Sequence, residues 1–196
     1  VYNVRGIKVG VIGLGNVSSL NSSVEGDNSL GLRARDSKQA VSDLVRVLRP
    51  QVDLMVVVSH MGPDDDVAVS REVSDNDSEV EQNDPNSAAV DLNGIDVVLG
   101  GHLHTVYYPP VDISHYDKTG SYQGHTIIVN SGAFAKFIGS LDMVVHVGDP
   151  ASADPLLRRS FVKSYTFDIL PVGERPWQPG DPTDPCDPSI RCDPPH

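Results

Sequence analysis

Hydrophobic residues along the chain fall into short runs of the kind that form buried strands. Three such runs are rich in β-branched residues and are bounded by glycine or polar residues. They are Ile7–Leu14, Asp53–Ser59 and Ile95–Leu99. Because strands covered on both faces appear as continuous apolar runs, these segments predict the central strands of a layered domain.

A clear helical pattern lies between the first two runs. From Ser37 to Arg49 the apolar residues recur three and four positions apart, which predicts an amphipathic helix. Asp36 or Ser37 would cap its first turn, and Pro50 would end it. The order strand, helix, strand, strand predicts an α/β layered domain.

The pattern weakens after the second strand. Pro63–Ser87 is acidic, has little apolar periodicity and is interpreted as an excursion loop, followed by a short helix around Ala88–Leu92. Three later runs predict strands, and the last two alternate enough to be half exposed and antiparallel. They are Thr126–Asn130, Leu141–Val147 and Phe161–Ile169. We therefore expect one domain over residues 1–172 and a Pro/Asp-rich tail over residues 173–196, either a solvated linker or a calcium-binding row of carboxylates.

Charge and length exclude several classes of protein. The sequence has 27 acidic against 15 basic residues and a net charge of -12, which argues against nucleic-acid polymers and anionic membranes as partners. No run approaches the roughly 18–20 apolar residues of a membrane-spanning helix. We therefore expect a soluble chain without a membrane span.

The two ends of the chain give weaker indications. The sequence begins at Val1 without the features of a signal peptide, so a processed product or a fragment of a longer protein is expected. Cys186 and Cys192 lie in the tail, where a disulfide is favoured over two free thiols. A disulfide would suit an extracytoplasmic location, either periplasmic or secreted.

The strongest chemical signal follows the third apolar run. Gly100–His104 has the sequence GGHLH, and ligands in open α/β sheets bind beyond the carboxyl ends of strands. Two histidines two positions apart can approach neighbouring metals from one turn, which the paired glycines make sterically accessible. The second run ends in the same way, with His60 followed by Met61 and Gly62. If these strands are neighbours, His60, His102 and His104 converge.

The runs VVVSHMG, GIDVVLGGHLHT and VNSGAFAKFIGSLDMVV, in this order, resemble the fourth and fifth motifs and the following strand pair of the calcineurin-like metallophosphoesterases. The resemblance is specifically to the 5′-nucleotidase branch, and it covers about Arg5–Val147, since the opening RGIKVGVIGL is also similar. It implies an α/β/β/α four-layer sandwich with mixed sheets. The chain would be the C-terminal half of the catalytic domain.

The resemblance also implies a chemistry. The family holds two divalent metals about 3.5–4 Å apart, with a bridging hydroxide that attacks phosphorus in line. His60 and His102 would bind one metal and His104 the other, with zinc, manganese and iron all compatible with imidazole. The substrate would be a small phosphorylated molecule, either a nucleotide or another phosphomonoester.

The family's earlier motifs, D-x-H, G-D-x-x-D and G-N-H followed by an acid, do not occur in this sequence. The bridging carboxylate, the asparagine ligand and the histidine that protonates the leaving group would therefore come from a missing N-terminal half or from a partner chain. We expect the chain alone to be inactive and to expose apolar sheet surface, which predicts either association with the missing half or aggregation. The alternative is a non-catalytic scaffold or binding subunit that retains the fold.

Several other residues have two interpretations. Asp64, Asp65 and Asp66 are interpreted as a solvated acidic run, with a supplementary role in the site as the alternative. Asn130, Ser131 and Gly132 would line the substrate mouth or form a tight turn. Three further histidines fit no ligand spacing and are assigned to surface or strand positions. They are His115, His125 and His146. The glycines of Gly10–Gly15 and the acidic Asp75–Glu79 resemble a dinucleotide fingerprint and a calcium loop only in part, and both are rejected.

Overall fold

The computed structural model describes residues 1–16, 34–75, 94–116, 120, 122–154 and 156–172. Eight strands and two α-helices occur in this part of the chain. In chain order they are β1 Tyr2–Val4, β2 Ile7–Leu14, α1 Ser37–Leu48, β3 Leu54–Ser59, α2 Pro63–Asp75, β4 Val97–Leu99, β5 Val111–Tyr116, β6 Tyr122–Val129, β7 Phe137–His146 and β8 Phe161–Pro171. Short 3-10 turns at Arg49–Gln51 and Leu156–Arg158 complete the described elements.

Six strands form one mixed sheet in the order β1-β2-β3-β4-β6-β5. The four inner strands run parallel, while β1 and β5 pair antiparallel at the two edges. The last two strands, β7 and β8, form a separate antiparallel hairpin. The three central strands and the antiparallel final pair predicted from the sequence are confirmed.

Two layers cover the sheet on opposite faces. Helices α1 and α2 pack on one face, where their valines meet the inward side chains of the strands. The hairpin packs on the other face through Val162 and Phe167, which contact Leu54, Ile127 and Val129. The described residues thus form three layers in the order helix, sheet, hairpin, which agrees with part of a layered α/β sandwich.

Helix α1 begins as the sequence predicts. The Asp36 carboxylate accepts a hydrogen bond from the Gln39 backbone N–H at 2.8 Å, and this satisfies one of the free amides of the first turn. Val41 and Val45 lie one turn apart and are fully buried. The helix ends at Leu48, where the chain enters the 3-10 turn that contains Pro50.

The interpretation of Pro63–Ser87 as a loop is wrong for its first half, because Pro63–Asp75 forms helix α2. Proline suits the first helical position, and the three acidic residues of the first turn oppose the positive end of the helix dipole. Val69 and Val73, four positions apart, are buried against the sheet. Because acidic residues surround these few valines, the apolar periodicity of the helix is difficult to recognise in the sequence.

Strand β5 was not predicted from the sequence. Its alternation of exposed and buried residues fits an edge strand. The proposed short helix at Ala88–Leu92, most of the acidic Asp75–Glu79 segment and the tail at 173–196 lie outside the described residues. The division into a domain and a tail therefore stays a prediction.

Part of the sheet face that carries the hairpin is uncovered. Val56 packs with the hairpin cluster, and Val58, two positions further along the same strand, faces the same side. Val58 is 46% exposed, and Val11 and Leu99 on the neighbouring strands are 41% and 40% exposed. These three side chains form a contiguous apolar surface near the carboxyl ends of the parallel strands.

A buried ion pair lies at the other end of the parallel strands, where β3 and β4 begin. Arg49 donates to the Asp96 carboxylate and also to the Ser160 carbonyl at 3.0 Å, and both charged residues are buried. Asp96 in turn accepts a hydrogen bond from the Met55 backbone N–H at 2.6 Å. The pair therefore joins the end of α1, the starts of β3 and β4 and the hairpin layer.

We expect Asp96→Ala to lower the free energy of unfolding by about 3–5 kcal/mol, because it leaves the Arg49 charge buried without a partner. Urea denaturation measures this loss. Asp43→Ala is the matched control, since Asp43 pairs with Arg35 at the surface and its removal should barely move the midpoint. Equal effects of the two substitutions would contradict the role assigned to the buried pair.

Candidate metal site at the strand ends

The carboxyl ends of β2, β3 and β4 lie side by side and bring together the side chains of Asn16, His60 and His102. Register pairs Leu14 with Ser59, and the His60 backbone N–H donates to the Leu14 carbonyl at 3.0 Å. The rings of His60 and His102 meet at a centroid distance of 5.3 Å and an interplanar angle of 64°. The adjacency of these two imidazoles agrees with the expectation from the sequence.

Close approach between the two histidine loops depends on glycine. A Cβ atom at Gly101 would lie 3.0 Å from Nδ1 of His60. A Cβ at Gly62, whose φ is +105°, would lie 3.5 Å from Cδ2 of His102. Each loop thus uses a glycine where it faces the histidine of the other loop.

Two of the histidines have unusual backbone conformations. His102 has a φ of 78° and His104 a φ of 55°, both in the left-handed region that non-glycine residues seldom adopt. The His104 ring packs edge-on against Phe134, with ring centroids 4.9 Å apart. Phe134 and Ala135 also have positive φ values, of 59° and 51°. The third imidazole therefore has a different environment from the first two.

Asn16 is a site residue that the sequence interpretation missed. It follows β2 by two positions, and its Nδ2 lies 3.1 Å from each ring nitrogen of His102. The amide can donate to whichever nitrogen lacks a proton, so it can hold the ring in place in either tautomer. Its position just beyond a strand end was the available signal.

Asp66 departs from the solvated acidic run expected in the sequence. Asp64 and Asp65 are exposed, but Asp66 is only 2% exposed and accepts a hydrogen bond from the Ser59 hydroxyl. Burial raises the pKa of the Asp66 carboxyl, and the Ser59 hydrogen bond opposes this shift. Asp66 is therefore part of the structure that supports the strand ends.

The other candidates take structural positions. Asn130 is buried, and its Oδ1 accepts a hydrogen bond from the Gly132 N–H at 3.1 Å, while Ser131 forms an isolated bridge with Val106. These contacts describe a tight turn, with Gly132 at a φ of +80°. The three remaining histidines occupy strand positions as expected, each with a hydrogen-bond partner. The pairs are His115 with Thr126, His125 with Asp112, and His146 with the Leu157 carbonyl.

A cavity of about 400 Å³ opens beside His102. Its lining includes Asn16, Asp36, Lys38, Met61, Asp65 and His102. The cavity therefore combines one imidazole and one amide with groups of both charges. It is large enough for a small polar molecule next to the histidine pair.

The donor types at the strand ends suit a transition metal, but their number is incomplete. Imidazole nitrogens bind zinc, manganese and iron, and two of them are adjacent here. Within the described ranges, no group of three or more His, Cys, Asp and Glu side chains could hold a metal ion. Any metal at this position would need ligands beyond the ones that the described residues provide.

Known proteins with similar sequences are nucleotide hydrolases by name. No protein-family model matches the chain. An apyrase from Tabanus yao is 26% identical over 149 residues, which is 70% of this chain and 23% of the apyrase. A 5′-nucleotidase from Diplobatis ommata is 25% identical over 173 residues, or 83% of this chain and 26% of that protein. The chain thus spans about a quarter of the length of these relatives.

Solved structures show the same fold at lower sequence identity. A 5′-nucleotidase precursor from Thermus thermophilus matches with a TM-score of 0.52 and 19% identity, covering 87% of this chain and 29% of that one. The NAD nucleotidase of Haemophilus influenzae matches with a TM-score of 0.54 and 16% identity, covering 87% and 26%. The resemblance to 5′-nucleotidases predicted from the motifs is confirmed, and the chain shares the mixed α/β fold of these solved structures.

Proposed function

We propose that the chain supplies one side of a metal-dependent site that hydrolyses phosphate esters, with a nucleotide or another phosphomonoester as substrate. The observation that carries this proposal is the contact between His60 and His102 at the ends of adjacent parallel strands, with ring centroids 5.3 Å apart. The names of the relatives favour nucleotides among the possible phosphate esters.

His60 and His102 would bind one divalent metal, and His104 would bind a second. Zinc, manganese and iron all accept imidazole ligands. When bound, such metals act as Lewis acids on phosphoryl oxygens and lower the pKa of bound water. The separate environment of His104, against Phe134, fits its assignment to a different metal from the adjacent pair.

The chain's own side chains would orient the ligands and admit the substrate. Asn16 would hold the His102 ring in one orientation through its amide. The cavity beside His102 would accommodate part of the substrate, where Lys38 can attract a phosphate and Asp65 can accept from hydroxyl groups. Asn130, Ser131 and Gly132 would contribute the rim of the substrate mouth through their turn rather than through the buried Asn130 side chain.

The remaining metal ligands would come from a missing N-terminal half of the domain or from a partner chain. The exposed apolar surface of Val11, Val58 and Leu99 supports this arrangement, since it lies near the same strand ends as the histidines. A partner that covered this surface would remove it from water, which stabilises a complex by about 25 cal/mol per Å² of buried apolar area. One partner could then provide both the cover and the missing carboxylates.

We place the protein outside the cytoplasm, in the periplasm or in the secreted fraction. The name of the Thermus protein, a precursor, is consistent with processing. Cys186 and Cys192 lie outside the described residues, so their pairing stays a prediction. No helix in the described part of the chain is long and apolar enough to cross a membrane.

A non-catalytic scaffold that keeps the fold is the second candidate function. The incomplete set of metal-binding side chains in the described residues favours it. The two candidates differ in one measurable property, because a scaffold needs no metal at His60, His102 and His104. Metal binding by the chain therefore discriminates between them.

We expect the chain, when joined to the N-terminal half of such a domain, to bind Co²⁺ or Zn²⁺, and His102→Ala to weaken this binding by at least about 100-fold. Loss of a supporting outer-shell partner alone typically costs about 10–100-fold, so loss of a ligand should cost no less. Titration followed by the Co²⁺ absorption spectrum measures the effect. His146→Ala is the matched control, since His146 lies in the hairpin, where its Nε2–H donates to the Leu157 carbonyl at 3.1 Å.

Unchanged metal content in His102→Ala would overturn the assignment of this ligand. Absence of binding in excess zinc by the unmodified chain joined to that N-terminal half would favour the scaffold. Turnover of a generic aryl phosphate with manganese, when the chain is joined to the N-terminal half of such a domain, would support hydrolysis. His102→Ala should abolish that turnover, while the chain without the added half should show none.

We also expect the isolated chain to associate through its uncovered sheet face. Replacing both Val11 and Val58 with threonine should shift the protein toward monomer, because threonine keeps the β-branched shape but removes apolar surface. Val47→Thr serves as the control, as Val47 is an exposed valine on the outer side of α1. Sedimentation velocity that shows a compact monomer of the unmodified chain at all concentrations would contradict the expectation.

A further inference from the structure

The buried position of Asp66 is unusual for its location in the fold. It lies in the first turn of α2, where Asp64 and Asp65 are exposed to solvent. Aspartate is seldom buried unless a hydrogen bond or a charge compensates for its lost hydration. The contacts of its two carboxylate oxygens therefore show which loops the buried side chain supports.

One carboxylate oxygen holds the loop that carries His60. The Ser59 hydroxyl, at the end of β3, donates a hydrogen bond to Oδ1 of Asp66. The same Ser59 oxygen accepts a hydrogen bond from the Met61 backbone N–H at 3.2 Å. The residues on both sides of His60 are thus fixed through a single hydroxyl group that Asp66 orients.

The other carboxylate oxygen faces the loop that carries His102. A Cβ atom built on Gly100 would lie 2.9 Å from Oδ2 of Asp66, so the carboxylate fills the space that any larger residue would need. The Gly100 N–H is held on its other side by the Val129 carbonyl at 2.8 Å. Gly100 is therefore confined between Asp66 and β6, two positions before His102.

We propose that Asp66 is a positioning residue that sets the separation of the His60 and His102 rings, by holding the His60 loop through a hydrogen bond and limiting the approach of the His102 loop through packing at Gly100. It acts through Ser59 and Gly100, as each of its oxygens faces one of these residues. The proposal deepens the metal site described above and rests on that proposed function for its consequence in metal binding. Its structural part concerns the metal-free protein and stands on the contacts alone.

The location of Asp66 on α2 strengthens the arrangement. Its own backbone N–H donates to the Gly62 carbonyl at 2.9 Å, which closes the turn directly after His60. The Ser70 hydroxyl donates to the Asp66 carbonyl at 2.7 Å from the next turn of the helix. Val69 and Val73 pack the helix onto the sheet, so the carboxylate is presented by a rigid element.

Three variants of the full chain test the proposal. Asp66→Ala removes the acceptor for Ser59 and leaves space beside Gly100. Asp66→Asn keeps a side-chain oxygen that can accept from the Ser59 hydroxyl, so it should rescue the position of the loops. Val73→Ala is the matched control for stability, because it removes buried volume from the same helix without touching either histidine loop.

The first readout uses the metal-free chain. The nuclear Overhauser effect between the ring protons of His60 and His102 should be strong in the unmodified chain, in Asp66→Asn and in Val73→Ala, and should be lost in Asp66→Ala. The spectra are recorded well below the melting temperature of each variant. Retention of the effect in Asp66→Ala would overturn the proposal, as would its loss in Val73→Ala to the same extent.

The second readout is Zn²⁺ affinity. Asp66→Ala should weaken binding by about 10–100-fold, the usual cost of losing a supporting residue, while Asp66→Asn and Val73→Ala should keep most of the affinity. If the unmodified chain joined to the N-terminal half of such a domain binds no zinc, the proposed function fails, and the metal-free spectra still decide the positioning role. If zinc binds and Asp66→Ala binds it equally well, the positioning role fails alone.

Gly100→Ala tests the same contact from the opposite side. The added methyl group would fall 2.9 Å from Asp66 Oδ2 and 3.4 Å from the Val129 carbonyl, so the loop or the carboxylate must shift. We expect the ring contact between His60 and His102 to weaken in this variant. Gly100→Ala should lower the free energy of unfolding less in an Asp66→Ala background than in the unmodified chain, because the smaller residue admits the methyl group. Equal ring contact in Gly100→Ala and the unmodified chain would contradict the packing role of Oδ2.

Discussion

The parallel register of β2, β3 and β4 is the constraint on which the site depends. Leu14 pairs with Ser59, and Val58 pairs with Leu99, so the carboxyl ends of the three strands lie side by side. Hydrogen bonding between parallel backbones fixes this alignment independently of the side chains that follow it. Asn16, His60 and His102 meet because each lies within three positions of a strand end.

Buried carboxylates hold these strands at both of their ends. At the starting end, Asp96 accepts from the Met55 N–H and pairs with Arg49, which reaches across to the Ser160 carbonyl. At the carboxyl end, Asp66 accepts from Ser59 and packs against Gly100. Between them, the aliphatic side chains contribute hydrophobic contacts that have no preferred direction. The carboxylates, in contrast, link particular loops to particular helices. The positions of the histidine loops are therefore determined by directional contacts rather than by the core alone.

The sequence predicts the elements whose apolar pattern matches their environment and fails where polar residues are buried. The strands β2, β3 and β4 could be predicted because both of their faces need apolar side chains. Helix α2 could not, since Asp66 and Ser70 occupy its buried face beside Val69 and Val73 and break the apolar period. His60 and His102 were accessible to prediction through glycine-flanked motifs. Asn16 contacts His102 from a distant segment, and Asp66 is buried among acidic neighbours that are exposed, so neither role follows from a local motif.

The backbone of the GGHLH segment argues for a retained function over a bare scaffold. His102 and His104 both hold left-handed conformations, each at a cost of order 1–3 kcal/mol where the surroundings do not favour them. A turn that only connected β4 to β5 would lower its energy with glycine or asparagine at these positions. Keeping imidazoles there, with glycine at position 101 making room for His60, lowers stability in order to place nitrogen donors. Such a loss is expected where the donors bind something, and it supports the proposal of a metal site at these strand ends.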